Sequence, residues 1–499
     1  MRTIIKAAAL LFTVLAAPIH AQPGTAPAIT AATPEIDKSF DDYMREGHVP
    51  GLVYGIVAGG KLVHVKTMGV QDTSTKRPIA TDTRFRIASM SKAFTALAIL
   101  KLRDAGRLSL DDLAEKHVPE LRKWRYPTSD APRITVRDLL SHVGGFVTDD
   151  PWGDRQQVMA EADFTRLLAQ GVPFTRAPQT GYEYSNFGYA LLGRIITNVA
   201  RMPFDVYIRD TILKPLGMNN SGYEFLDVPL EKRAVGYRFE DEAWKEEPTM
   251  KHGAFGAMGG LYTTADDYAR YVAWLLQGWP ARDGAEVGPL RRSSIRELAI
   301  GSNFVRLAKR RGKSGATACM LPTAYGKGMI AAQDCDLGVT LAHGGGFPGY
   351  GSHVMLMPDY GVGIFVFANR TYAGPAGAAW DGAVALLKAG ALKREPIGIS
   401  ADLATGYAKA GAIFNAGNVG SDGLAMNFLM DRDAAHWAGD IAKLKASAGA
   451  CDTSSPITAT GALSGTFIWV CEKGKVSGDI LLAPTPTVQI QSLRFVVMP

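Results

Sequence analysis

The stretch Phe85-Arg86-Ile87-Ala88-Ser89-Met90-Ser91-Lys92-Ala93-Phe94 sets a hydroxyl and an amine three residues apart at the start of a helical pattern. Apolar residues recur at helical spacing through Phe94, Leu97, Ala98 and Leu102, and Ala105-Gly106 marks the stop. Ser89 is therefore predicted on the first helical turn, with Lys92 on the same face. Backbone N–H groups at a helix start are unpaired and lie at the positive end of the dipole, so they favour an oxyanion forming beside the serine. A neighbouring amine can take the proton that attack by the hydroxyl releases. An N-cap serine followed by a solvated lysine gives the same pattern, and composition alone produces Ser-x-x-Lys about twice in a chain of this length. What separates the two readings lies elsewhere in the sequence.

Two downstream stretches supply complementary chemistry. Tyr184-Ser185-Asn186 follows the turn at Thr180-Gly181 and precedes a helical run from Tyr189. A free phenol has a pKa of about 10. Against a cationic Lys92, Tyr184 is expected to ionise more easily and to act as a base toward Ser89. Asn186 offers an amide able to hold a substrate carbonyl and Lys92 together. His343-Gly344-Gly345-Gly346 follows a strand-like run at Leu337–Leu341. Glycines beside a strand let another backbone approach, so a substrate can pair along Gly344 and Gly345, and a glycine N–H can serve as second oxyanion donor. Core packing of Tyr184, a plain loop for the glycines and a structural hydrogen bond for His343 are the alternatives.

At 499 residues the chain exceeds one small core and implies two domains. With 47% hydrophobic and 20% charged residues it has the composition of a soluble globular protein. Residues 1–21 have the form of a secretory signal peptide: basic Arg2 and Lys6, an apolar run Ala7–Ala17, and Ala21 for cleavage before Gln22. That run is too short to remain as a membrane span, and no later segment is long and apolar enough. Export, to the periplasm or beyond, is the expected localisation. Loss of Arg2 and Lys6 lowers the formal charge from +6 to +4, too little to imply nucleic acid as a partner. The densest basic run, Lys309-Arg310-Arg311-Gly312-Lys313, has no interleaved aromatic residues and reads as a solvated loop. Cys319, Cys335, Cys451 and Cys471 form no C-x-x-C pair, which argues against zinc or a redox dithiol. In an exported chain they fit two local disulfides, Cys319–Cys335 and Cys451–Cys471, or four free thiols. The nine histidines show no H-E-x-x-H and no tight cluster, so no metal and no cofactor is expected.

Residues 22–34, rich in Pro, Ala and Thr, are predicted to be a flexible lead-in. β-like runs at 52–57 and 61–66, parted by Ala58-Gly59-Gly60, give a hairpin signal. A helical middle follows at 136–140, 164–169, 189–199, 204–212 and 265–276, and strands return at 337–341, 351–357 and 362–368. The strands at both ends are expected to pair into one antiparallel sheet, with the helical region inserted on one side. A boundary falls near 390–400. Beyond it, helices at 407–415 and 434–446 precede strands at 465–471, 476–483 and 488–497, a small accessory α+β domain at 400–499 with no assignable chemistry.

The order Ser-x-x-Lys, Tyr-Ser-Asn, His-Gly-Gly is accompanied by Ile134-Thr135-Val136-Arg137-Asp138-Leu139-Leu140-Ser141-His142, Leu213-Lys214-Pro215-Leu216-Gly217-Met218 and Gly260-Leu261-Tyr262-Thr263-Thr264. Together these resemble the serine hydrolases related to class C β-lactamases and the DD-peptidases. The resemblance runs from about Ile36 to Leu387 and places a domain at 35–390. It implies an α+β fold, with an antiparallel sheet flanked by helices plus an all-helical lobe. It also implies Ser89 as the acylated nucleophile, Lys92 and Tyr184 as its proton-transfer pair, and an oxyanion hole from the N–H groups of Ser89 and Gly346. By the same resemblance Asn186 contacts the substrate amide, and His343 stands where lactamases carry the lysine of Lys-Thr-Gly. The chain departs from that pattern at His343, at Gly344 in place of threonine, and at Val143-Gly144-Gly145 in place of Thr-Ser-Gly. A neutral imidazole binds a carboxylate less firmly than an ammonium does, which turns the expectation toward the family's peptidases and esterases. The expected function is an exported serine hydrolase acting through an acyl-enzyme on Ser89, a peptidase or amidase of the DD-peptidase kind with a peptide or small-molecule substrate. An esterase for small acyl esters or lactones, a weak β-lactamase, and a non-catalytic penicillin-binding-like scaffold are the alternatives. The sequence sets no oligomeric state.

Overall fold

The computed structural model describes residues 25–309, 320–394 and 396–498. The leader at 1–21, the Cys319–Cys335 pairing and the basic run beyond Lys309 lie outside the described residues. Among those described, no helix is long and apolar enough to cross a membrane. The chain divides into two compact units, one of residues 1–279 with 285–393, the other of residues 394–499 with 280–284.

The first unit is built on a nine-stranded antiparallel sheet. Its strands are β1 (Gly51–Ala58), β2 (Lys61–Asp72), β3 (Arg77–Pro78), β4 (Asn303–Lys309), β5 (Met320–Tyr325), β6 (Ile330–Asp334), β7 (Gly338–Phe347), β8 (Tyr350–Met357) and β9 (Val362–Ala368), in the order β3-β2-β1-β9-β8-β7-β6-β5-β4. The two ends of the unit meet as expected: β1 pairs with β9 from Leu52↔Ala368 to Ala58↔Val362. β1, β8 and β9 are buried along their whole length, because helices cover both faces of the sheet. The strand period of two sorts the side chains. Leu52, Tyr54, Ile56, Ile364 and Val366 face one cluster, while Val53, Val57, Phe365 and Phe367 face the other.

The first of those clusters is closed by α1 (Thr25–Glu46) and by a second helix, Ala376–Lys388. The flexible lead-in expected at 22–34 is thus corrected: from Thr25 onward it is helix, with Pro34 inside it. Ile29, Ala32, Ile36 and Phe40 recur every three or four residues and all are buried, so packing on the sheet outweighs the composition that suggested a loose tail. On the opposite face lie α2 (Ser91–Asp104), α3 (Val136–Leu140), α4 (Asn186–Ala200) and α5 (Ala265–Leu276), all inserted between β3 and β4. Their buried faces, including Phe94, Leu97, Tyr189, Leu192, Tyr268 and Tyr271, form the larger core.

The second unit is a five-stranded sheet in which Ser464–Cys471 lies between Gly474–Leu482 and the short strands Cys451–Asp452 and Thr458–Gly461. Helices Ala401–Ala416 and Ala434–Ala448 bury Leu403, Phe414 and Ile441 with Phe467 and Trp469 of the sheet. Cys451 and Cys471 face each other in register and form a disulfide.

Phe40 is fully buried and stacks on Tyr54 with ring centroids 4.1 Å apart. Phe40→Ala is expected to cost the first unit about 3–5 kcal/mol, measured as an earlier urea unfolding midpoint. A loss below about 0.5 kcal/mol would show that α1 is not docked on the sheet.

Candidate active site

Ser89 sits on a 3-10 turn, Ala88–Met90, that runs directly into α2. Ala88 has φ of 48°, in the left-handed region that a side chain adopts only when neighbours hold it. Those neighbours are visible. The Ser91 hydroxyl donates to the Ala88 carbonyl at 2.7 Å and accepts from the Leu261 N–H at 3.0 Å, while the Ser352 hydroxyl on β8 donates to the Ile87 carbonyl at 2.8 Å. β7 comes equally close. A Cβ on Gly345 would stand 2.3 Å from the Ile87 carbonyl oxygen, so only glycine lets the serine turn rest on that strand.

Lys92 is the buried centre of the site, with no exposure to solvent. Its Nζ donates to the Ser89 Oγ at 3.0 Å, the Asn186 Oδ1 at 2.7 Å and the Met258 carbonyl at 2.9 Å. It also lies 4.8 Å from the ring centre of Tyr184 and 5.5 Å from that of Tyr189. Burial pulls its pKa down to about 8, against the opposing pull of the Asp150, Asp154 and Asp149 carboxylates.

Tyr184 is brought to the same place: with Ser89 it lines one cavity, and its ring lies beside the Lys92 Nζ. Its expected ease of ionisation is corrected. Burial first, and then the Asp150 charge, push the phenol well above its ordinary pKa. Of the two groups, Lys92 is the one able to reach its basic form near neutral pH. Asn186 meets Lys92, as expected of its amide. It is fully buried at the first turn of α4, where its carbonyl accepts from Lys92 and its amide donates to Asp150. It holds the lysine and does not line the cavity beside Ser89.

That cavity, of about 500 Å³, is lined by Ser89, Tyr184, His343, Gly344, Gly345 and Gly346 among others. The three glycines belong to β7, which extends to Phe347 and pairs with β8 through Gly344↔His353, Gly345↔Ser352 and Gly346↔Gly351. On its other side β7 is paired by β6 only up to Ala342, so 343–347 has no strand partner there among the described residues. His343 is 4% exposed, and both ring nitrogens are engaged: Nδ1 with the Gly344 carbonyl at 2.6 Å and Nε2 with the Tyr325 hydroxyl at 3.0 Å. Burial and the Lys92 charge lower its pKa to about 4. Its ring therefore borders the cavity without a spare polar atom to anchor a carboxylate. Arg306 and Lys309 of β4 also line the cavity.

The acidic side of the site was not anticipated from sequence. Asp149 accepts the N–H groups of Asn186 and Phe187 at 2.6 and 2.8 Å and so caps α4. Asp150 and Asp154 line the cavity, and the Tyr372 hydroxyl donates to Asp154 at 3.0 Å. The only signal for them was the density of aspartates in 149–154, which has no periodicity to mark it.

The geometry at His343 makes a direct prediction. Its imidazole carbon-bound protons should not titrate between about pH 5 and pH 8 by NMR, because a buried neutral ring stays neutral there. A midpoint near 6.5 would show a ring open to water.

Comparisons with known proteins bear on the family and the fold. The beta-lactamase family model matches residues 36–389. Protein flp of Staphylococcus aureus (strain COL) is 29% identical over 341 residues, 67% of this chain and 62% of its own length. Beta-lactamase-like protein 2 of Dictyostelium discoideum is 30% identical over 263 residues, 51% of this chain and 47% of its own length. This chain thus spans less than two thirds of the length of either relative. Among solved structures, the octameric penicillin-binding protein homologue from Pyrococcus abyssi superposes with a TM-score of 0.61 at 20% identity, covering 93% of this chain and 98% of that one. A class C beta-lactamase gives a TM-score of 0.56 at 20% identity, covering 74% and 98%. Matched by the family model over more than half its length, the chain belongs to the beta-lactamase family.

Proposed function

We propose that this protein is an exported serine hydrolase that cleaves amide bonds through an acyl-enzyme on Ser89, a peptidase or amidase of the DD-peptidase kind. The observation that carries the reading is a fully buried lysine, 3.0 Å from a serine hydroxyl, with a pKa lowered to about 8. Neutral Lys92 takes the Ser89 proton as the Oγ–carbon bond forms. The N–H groups of Ser89 and Gly346 hold the oxyanion. When the carbon–nitrogen bond breaks, the proton held on Lys92 passes through the Tyr184 hydroxyl to the departing amine. Water then enters, Lys92 accepts its proton, and the acyl group leaves Ser89 as a carboxylate with Ser89 protonated again.

The edge of β7 that β6 leaves without a strand partner beyond Ala342 supports a peptide, since an extended backbone can add to it as a strand. Export is supported by the basic and apolar leader of residues 1–21 and by the Cys451–Cys471 disulfide, a bond that persists in oxidising compartments. A second reading, an esterase for small neutral acyl esters, is favoured by one observation. His343, with both nitrogens engaged, offers no fixed cation where a lactamase-type lysine would meet a carboxylate.

A fluorophosphonate probe is expected to label the wild type and not Ser89→Ala; equal labelling of the two would remove the mechanism. D-amino acid peptides, p-nitrophenyl esters and nitrocefin, each tested with both proteins, then decide the substrate class. Because Lys92 acts as base only when neutral, kcat/KM should rise about tenfold per pH unit below about 8 and level off above it. A flat profile over that range would exclude Lys92 as the base. Tyr184→Phe should slow amide cleavage by roughly 100-fold or more and ester cleavage far less, because an amine must be protonated to leave.

A further inference from the structure

The segment Ile134–His142 matches the family pattern but has no part in the chemistry above, and its last residue lies against the reacting groups. α3 is fixed at its start by a capping box between Thr135 and Asp138, and Gln179 donates to Asp138 at 3.0 Å. Near its end the Tyr189 hydroxyl donates to the Leu140 carbonyl at 2.9 Å. The chain then turns at His142, whose φ of 57° is uncommon for any residue with a side chain. Two hydrogen bonds leave His142 for the segment that carries Tyr184. Its carbonyl accepts from the Glu183 N–H at 2.8 Å, and its ring Nδ1 accepts from the Ser185 N–H at 3.1 Å. These bonds flank Tyr184 on both sides along the chain. Between them the imidazole packs on the Tyr184 ring with centroids 4.4 Å apart, and it also meets the rings of Tyr325 at 4.5 Å, Tyr189 at 5.0 Å and Tyr182 at 5.8 Å.

The hydrogen bond fixes the tautomer. A nitrogen that accepts from a backbone N–H carries no proton, so the ring hydrogen is on Nε2. His142 is 2% exposed, and Nε2 has no hydrogen-bond partner among the described residues. A buried donor left unpaired is destabilising, so packing alone would be better served by an apolar side chain. What an apolar side chain cannot supply is the Nδ1 acceptor.

We infer that His142 is a positioning residue, whose ring acceptor and stacked face hold the Tyr184–Ser185–Asn186 segment so that the phenol meets Ser89 and the amide meets Lys92. The inference rests on the serine-hydrolase reading for its catalytic consequence and on His142 geometry for its structural one. It acts through Tyr184 and Asn186 and touches no substrate.

Three variants test it. His142→Asn keeps an acceptor at the position of Nδ1 and tolerates a left-handed φ. His142→Gln places its amide one bond too far, and His142→Leu keeps apolar bulk without an acceptor. With p-nitrophenyl acetate and with fluorophosphonate labelling of Ser89, the Leu and Gln variants should lose on the order of 100-fold in kcat and in labelling rate, with KM changed by less than about threefold. The Asn variant should recover most of that loss. Hydrogen exchange at the Ser185 amide should stay slow in wild type and Asn and become fast in Leu and Gln. A folded Leu variant that labels at the wild-type rate overturns the inference, as does an Asn variant no better than Gln. If Leu does not fold, the Asn-to-Gln comparison decides alone. If wild type is not labelled at Ser89, the hydrolase reading fails, and the Ser185 amide still decides the positioning role: protection kept in Leu and Gln refutes it.

Discussion

An ammonium group taken wholly out of water must find a partner for each of its hydrogens, and the fold around Lys92 is shaped by that demand. The three acceptors come from three separate places: the serine turn ahead of α2, the first residue of α4, and the short helix at Gly256–Gly259. A lysine left without them would be strongly destabilising, so these elements are tied together at one point. The same burial that requires the partners lowers the lysine's proton affinity toward neutral pH. Structure and reactivity therefore share one cause. The aspartates at 149, 150 and 154 moderate it, keeping the charged form populated by Coulomb attraction while capping α4 and binding the Asn186 amide.

The sheet supplies the second half of the site by close approach. Gly345 leaves room for the Ile87 carbonyl and the Ser352 hydroxyl, so the turn bearing Ser89 lies directly on β7. Gly346 is similarly stripped of bulk where the Tyr372 ring comes within 2.8 Å of an imagined Cβ. Because β6 stops pairing at Ala342, the glycine segment keeps a backbone edge toward the cavity. A rigid strand, an open edge and a pinned serine are thus held in fixed positions around the cavity.

Much of this was legible in the sequence because it is local. The helical period after Phe94, the strand-like runs at 52–57 and 362–368, and the turn before Tyr184 each declare themselves within one element. Ser89, Lys92 and Tyr184 were recognisable as residues that chemistry would use, and the structure gathers them. One expectation about the site failed. A cationic neighbour alone would make the Tyr184 phenol easier to ionise, but burial first, and then the Asp150 charge, shift it the other way. Asn186 holds Lys92 as expected, and the Asp150 carboxylate that its amide also meets is the partner the sequence does not reveal. Residues 25–34 were misjudged from composition, though Ile29, Ala32 and Ile36 already carried the spacing that docks α1.

By itself the sequence determined which elements form and which groups can react, since side-chain period, glycine placement and functional-group identity are properties of short stretches. Only the tertiary structure decided protonation and access: which amine is lowered toward neutral pH, which nitrogens of His142 and His343 are engaged, and which polar groups face the cavity. Those depend on dielectric surroundings and on partners far along the chain, and no local pattern encodes how far a charge is removed from water.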